Sequence, residues 1–200
     1  MDVTWKHPFT CIVAGPTSSG KTTFIKELLL KRDTFIYPKI DRVVYCYSEF
    51  QPVFYELQVE LVQGLPDFDT FDPNLNNLVI IDDLMDKADK LADVFTKISH
   101  HRNISIIFIL QNVFAKNTRT LSLNAHYMVL FKNPRDATQI TNLAKQMYPG
   151  RIQFLQKAYA DATSRPYGYI FIDLRQDTVE HMRLRTHVLN EEQQIVYIPA

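Results

Sequence analysis

The sequence has little that would brace a chain covalently or through a metal. It contains two cysteines, Cys11 and Cys46, and both sit inside apolar runs. They read as small core residues rather than redox or ligand groups. No paired Cys/His spacing is present, which excludes an ordinary structural zinc site. His100 and His101 are adjacent, and neighbours on a helix diverge by about 100°, so the two do not share a metal easily. There is no charge excess: 22 Lys and Arg balance 22 Asp and Glu. That excludes a histone-like or tail-driven grip on nucleic acid, but not a local basic surface. The longest apolar stretches run to six or seven residues, well short of a membrane span. Residues 1–8 are polar and carry Asp2 and Lys6, so no signal peptide is read there. A soluble, intracellular protein is expected. Repeats, low-complexity tracts and linkers are also missing, and 200 residues suit one domain.

What is present is a series of short buried strands alternating with helices. Residues 9–14 form a continuous apolar run that stops at Gly15, the signature of a strand buried on both faces. Residues 22–31 carry Phe24, Ile25, Leu28 and Leu29 at helical spacing. Strands are expected at 42–47, 59–63, 77–82, 104–110, 127–131, 167–172 and 194–198. Helices are expected at 51–58, 86–99, 135–147 and 151–159. Alternation of this kind predicts an α/β fold of parallel βαβ units, with helices on both faces of the sheet.

Three strand ends carry chemistry. The first is Gly15-Pro-Thr-Ser-Ser-Gly-Lys-Thr22, which fits the phosphate-loop pattern and lies between a buried strand and a helix. Glycines let successive backbone N–H groups turn inward on phosphate oxygens, and the helix N-terminus adds partial positive charge. Gly15, Pro16, Thr17, Ser18, Ser19, Gly20, Lys21, Thr22 and Thr23 are therefore the expected nucleotide-binding residues. Lys21 reaches the β- and γ-phosphates, the Thr22 hydroxyl suits Mg²⁺, and Thr23 lies where the α-phosphate passes. ATP and Mg²⁺ are the implied ligands.

The second is Leu78-Val-Ile-Ile-Asp82-Asp83. A carboxylate at a buried strand's end suits the Mg²⁺ shell, which assigns Asp82. The next acid, Asp83, is placed to polarise an attacking water. Without the phosphate loop the two acids would read as helix caps. An acid in the second position separates hydrolysing enzymes from nucleotide kinases, although glutamate is commoner there and aspartate is one methylene shorter. The third is Gln111, at the tip of the strand expected between the two nucleotide motifs, where it reaches a γ-phosphate or its water, or simply faces solvent. Arg102 precedes that strand. It is either a solvated helix-end cation or a charge offered to a neighbouring subunit's γ-phosphate.

Taken together, the phosphate loop, the Asp82-Asp83 run and the stretch from His100 to Asn112 resemble the HerA–FtsK group of DNA-pumping ATPases. The short chain resembles its viral members, the genome-packaging ATPases of double-stranded DNA viruses. The resemblance covers about residues 8–148; residues 149–200 match no motif. It implies a RecA-like core with a central phosphate-loop strand, and a hexameric or pentameric ring with ATP sites between subunits. It makes Arg102 the arginine finger in trans and Gln111 the sensor. It also implies double-stranded DNA threaded into a preformed capsid, with capsid proteins as partners and a host-cell or virion location. Candidate DNA contacts are Phe114, Lys116 and Arg119 in the loop after the sensor strand, and Lys132 and Arg135 after the next. A nucleotide kinase, a small-molecule ATPase and a nucleotide-gated binding module are the alternatives. A kinase, however, calls for an arginine-rich lid, and none is seen between the second and third strands.

Overall fold

A computed structural model describes residues 3–84, 103–113, 118–190 and 192–199. The strands are β1 (Trp5–Lys6), β2 (Thr10–Ala14), β3 (Ile36–Tyr37), β4 (Arg42–Tyr47), β5 (Glu60–Gln63), β6 (Asn77–Asp82), β7 (Ile104–Leu110), β8 (Tyr127–Phe131), β9 (Tyr169–Asp173), β10 (Leu184–Thr186) and β11 (Ile195–Tyr197). The α-helices are α1 (Lys21–Leu30), α2 (Arg32–Phe35), α3 (Arg119–Leu123), α4 (Thr138–Met147) and α5 (Ile152–Ala162).

Nine strands form one sheet in the order β11-β10-β9-β8-β2-β7-β6-β4-β5. The six from β8 to β5 are parallel, and β9, β10 and β11 add antiparallel to the β8 edge. The late strands thus extend the sheet. β1 and β3 pair separately as a short parallel ribbon.

Every residue of β7 is buried, because both faces of the sheet are covered. Ile106 and Phe108 join one apolar cluster with Ile140 and Leu143 of α4 and Leu155 of α5. Ile107 and Ile109 join the other, with Ile25 and Leu28 of α1. Alternate residues of a strand point to opposite faces, so an unbroken apolar run is what a central strand needs. Each such side chain contributes roughly 1.5–3 kcal/mol by leaving water.

The expected strands at 42–47, 77–82, 104–110 and 127–131 coincide with β4, β6, β7 and β8. The expected helix at 51–58 is instead a 3₁₀ segment, Pro52–Glu56. The helix expected from residue 135 begins at Thr138, after a turn in which Asn133 Oδ1 accepts from the Arg135 N–H at 3.2 Å. The helix expected at 86–99 lies outside the described residues. The elements β1, β3, β10, α2 and α3 were not expected; they are two to five residues long, too short for periodicity to register. β10 also hides a charge. Arg185 is buried, lies 4.7 Å over the Phe171 ring and pairs with Asp173 at 3.5 Å. The charged stretch 180–185 is therefore partly internal. Cys11 and Cys46 are both buried in the core. Burial pushes the Cys46 thiol up to about 12, with Glu60 adding to it, and pushes Cys11 up as well.

Candidate functional site

The site lies at the carboxyl ends of the parallel strands, where open α/β sheets generally bind ligands. β7 runs between β2 and β6, so the phosphate-loop strand and the acidic strand flank it on either side. Gly15 N–H donates to Leu110 O at 3.1 Å, tying the start of the loop to the end of β7. A Cβ on Gly15 would lie 2.7 Å from Phe131 Cβ and from Ser19 Oγ, so only glycine fits. Ser18 and Gly20 take positive φ, 63° and 105°, which curls the loop. Gly20 is the N-cap of α1 and supplies no capping side chain, and the first turn of α1 carries no acid. That leaves a helix N-terminus suited to an outside anion.

Lys21 Nζ donates to the loop's own carbonyls, Gly15 O at 2.6 Å and Pro16 O at 2.9 Å. Burial lowers its pKa, while Asp82 and Asp83 pull it back up. Asp82 ends β6 and lies in register with Ile109 of β7 and Tyr47 of β4. Its Oδ2 accepts from the Tyr45 hydroxyl at 2.6 Å. Burial raises the Asp82 pKa, the Tyr45 hydrogen bond and Lys21 lower it, and Asp83 raises it. Tyr45 is pushed well above its usual value by burial and by Asp82, so it remains a donor. Asp83 is exposed at φ 53°, just off the strand. Gln111 is exposed one residue past β7.

Thr17, Ser18, Lys21, Thr22, Asp82, Asp83 and Gln111 line one cleft of about 540 Å³, within the usual range for ligand sites. Pro16, Ser19, Gly20 and Thr23 belong to the same loop and helix start but do not line this cleft. The Thr22 hydroxyl and the Asp82 carboxylate bring oxygen donors to one cavity, a set that fits a hard cation such as Mg²⁺.

The sequence reading missed Glu49. It lies two residues past β4, the strand beside Asp82, and lines the same cleft with Ser48 and Gln51. Its only local signal was its place after a buried strand. Tyr45, the hydrogen-bond partner of Asp82, was missed too; only the sheet pairing brings it there. Arg102, Phe114 and Lys116 lie outside the described residues, as does the side chain of Arg119, which opens α3. Lys132 and Arg135 are exposed just beyond β8. His100 and His101 are likewise outside.

No family model and no curated protein matches the sequence. Solved structures do. The fold is similar to the genome packaging NTPase B204 of Sulfolobus turreted icosahedral virus 2, in complex with sulfate, over 94% of this chain and 97% of that one, with TM-score 0.60 and 12% identity. It is similar to the pCW3 conjugation coupling protein TcpA with ATPγS over 86% of this chain and 59% of that one (TM-score 0.52, 13% identity). It is also similar to the cytoplasmic domain of the type VII secretion ATPase EccC of Thermomonospora curvata over 84% of this chain and 24% of that one (TM-score 0.54, 13% identity). The chain thus spans about three fifths of TcpA, a quarter of EccC and nearly all of B204. These neighbours match the resemblance drawn from the motifs, and at such identities the likeness is one of fold. The chain has a RecA-like α/β fold, shared with a viral genome packaging NTPase, a conjugation coupling protein and a type VII secretion ATPase.

Proposed function

We propose that this chain is an ATP-hydrolysing translocase that moves double-stranded DNA into a viral capsid. One observation carries the hydrolytic half: Lys21, Thr22, Asp82, Asp83 and Gln111, from three separate strand ends, meet in a single cleft. Backbone N–H groups of Gly20, Lys21, Thr22 and Thr23, at the start of α1, cradle the phosphates, and Lys21 leaves its loop carbonyls to neutralise the β- and γ-oxygens. Thr22 and Asp82 hold Mg²⁺, which when bound offsets the charge that develops on the phosphates. Asp83 accepts the proton of a water whose oxygen bonds to the γ-phosphorus, as the bond to the β-phosphate oxygen breaks. Gln111 orients that water. Tyr45 holds Asp82 in position.

The translocating half is supported by the near-complete overlap with B204 and by the coupling and secretion ATPases that share the fold. On this reading the chain works as one domain, since β9, β10 and β11 extend the same sheet. Its copies form a ring of five or six, in the infected cell or the virion, with capsid proteins as docking partners. Arg102 of one copy completes the site of the next. Lys132 and Arg135, exposed at the cleft edge of the sheet, touch DNA phosphates.

Purified protein should hydrolyse ATP faster with double-stranded DNA and should assemble with an ATP analogue in native mass measurements. Lys21→Ala should abolish hydrolysis. Arg102→Ala should bind ATP without turnover, and mixing it with Lys21→Ala protein should restore some activity. Turnover indifferent to DNA, in a protein that stays monomeric with ATP and Mg²⁺, would sink the motor reading.

A further inference from the structure

The C-terminal segment carries no recognisable motif, yet it comes to lie against the phosphate loop. α5 ends at Ala162, and residues 163–168 turn the chain into β9. Within that turn Tyr167 has φ 62°, a left-handed conformation that a bulky residue rarely adopts. The turn is held in place on its far side. Gly168 N–H donates to Arg165 O at 3.1 Å, and a Cβ on Gly168 would meet Ala162 O at 2.4 Å. In spite of this constraint, Tyr167 is 72% exposed. It also abuts the loop, since a Cβ built on Gly20 would lie 3.3 Å from both Tyr167 Cβ and Cδ1. A strained, exposed aromatic ring at the start of α1 has no packing reason to be there.

Tyr167 stands at a second cleft of about 740 Å³, again the size of a ligand site. Arg165, Tyr169, Asn190 and Gln193 line it from the C-terminal segment, and Glu27 lines it from α1. The helix α1 therefore borders both clefts. Lys21 and Thr22 line the first, and Glu27, about one and a half turns on, lines the second. Gly20, the N-cap of α1, adjoins Tyr167. An aromatic face with amide donors and acceptors nearby is the chemistry that recognises a heteroaromatic base, and stacking of this kind tolerates several bases.

We infer that the C-terminal segment supplies the nucleoside half of the site, with the Tyr167 ring stacking on the nucleotide base while the phosphates lie in the first cleft. This rests on the phosphate-loop reading above. It gives residues 163–197 a role in nucleotide capture. Arg165 is exposed and lines the same cleft, where it supplies a cation for the sugar–phosphate part of the ligand.

Calorimetric binding of a non-hydrolysable ATP analogue and of inorganic tripolyphosphate to the full chain tests this. Tyr167→Ala should weaken the ATP analogue about tenfold or more and leave tripolyphosphate unchanged, and Tyr167→Phe should bind both as the parent does. Lys21→Ala should weaken both ligands, which checks the loop separately. Unchanged analogue affinity in Tyr167→Ala, with Lys21→Ala still weakening both, overturns the stacking role and leaves the loop reading intact. Equal losses of both ligands in Tyr167→Ala would mean that the ring only shapes the loop, and that also overturns it. If Lys21→Ala weakens neither, the phosphate-loop reading falls and this inference falls with it.

Discussion

The two edges of the parallel sheet use similar polar residues for opposite ends. At the amino-terminal edge the side chains answer one another. His7 Nδ1 pairs with Ser105 Oγ at 2.6 Å and Nε2 with Asn103 Oδ1 at 3.0 Å, and Ser105 Oγ accepts from Phe9 N–H at 3.0 Å. Thr10 Oγ1 donates to Asn124 O at 2.8 Å, and Asn77 Nδ2 donates to Leu75 O at 2.8 Å. At the carboxyl-terminal edge Asp83, Glu49 and Gln111 are exposed, and Lys21 bonds only backbone oxygens among the described contacts. The first edge closes the fold, each hydrogen bond contributing on the order of 0.5–1.5 kcal/mol. The second keeps charge available for a ligand at some cost to the fold, since burial raises the Asp82 pKa. Polar chemistry at one edge can therefore be lost without touching turnover, and at the other without harming the fold.

The largest expected effect is at the open edge. Asp83→Asn should cut hydrolysis by about 10²–10⁴-fold, the range for a removed general base, with Glu49→Gln costing less than about tenfold. Steady-state phosphate release decides, and the reverse order would move the base to Glu49. At the closed edge, Ser105→Ala leaves a buried backbone N–H and an imidazole short of a partner, which costs about 1–3 kcal/mol. For a chain of this length that is a drop in Tm of about 2–4 °C per kcal/mol. Turnover per folded molecule should not change; a lower rate at constant Tm would break the contrast between the edges.

Asp82→Asn should do the reverse of Ser105→Ala. The folded pKa of Asp82 is raised, so its stabilising contribution exists only below the ordinary carboxylate range and is lost as pH rises through the folded value. At neutral pH the ionised group burdens the fold. A neutral amide still accepts from Tyr45, so Tm should rise while hydrolysis disappears. A fall in Tm on thermal melting would show that the ionised carboxylate supports the fold.

The smallest effect concerns pH. Burial lowers the His7 pKa, against the pull of Asn103 and Asp41. The neutral ring is the folded form, so its contribution is full above the ordinary imidazole value of roughly 6.5 and is lost as pH falls below it. Melting curves between about pH 7.5 and about pH 5.5 should show a decline of at most about 1.4 kcal/mol per pH unit from this group. His7→Gln should flatten that part of the curve; an unchanged slope would free His7 of the role.

The parts of the site that were legible beforehand are those written in contiguous residues. Residues 15–22 carry a complete phosphate loop, and 78–83 join an apolar run to two acids, so each motif holds its own strand and strand end. Gln111 was legible because it directly follows a seven-residue strand in which only Ser105 is polar. Glu49 was not, because a glutamate after Tyr47-Ser48 has no meaning until β4 pairs with β6 and puts its end beside Asp82. Nor was Arg185, a charged residue whose burial depends on Phe171 and Asp173 of the strand beside it.

By itself, the sequence determined that the chain carries a phosphate-loop motif at a strand-to-helix turn and builds a sheet buried on both faces. Those properties follow from local backbone geometry and from apolar periodicity, which act over a few residues. Only the tertiary structure decided that Glu49 and Tyr45 join the acids and that Tyr167 abuts Gly20. Those contacts join residues from about 30 to nearly 150 positions apart, and such contacts depend on strand order and on how a later segment packs against an earlier one.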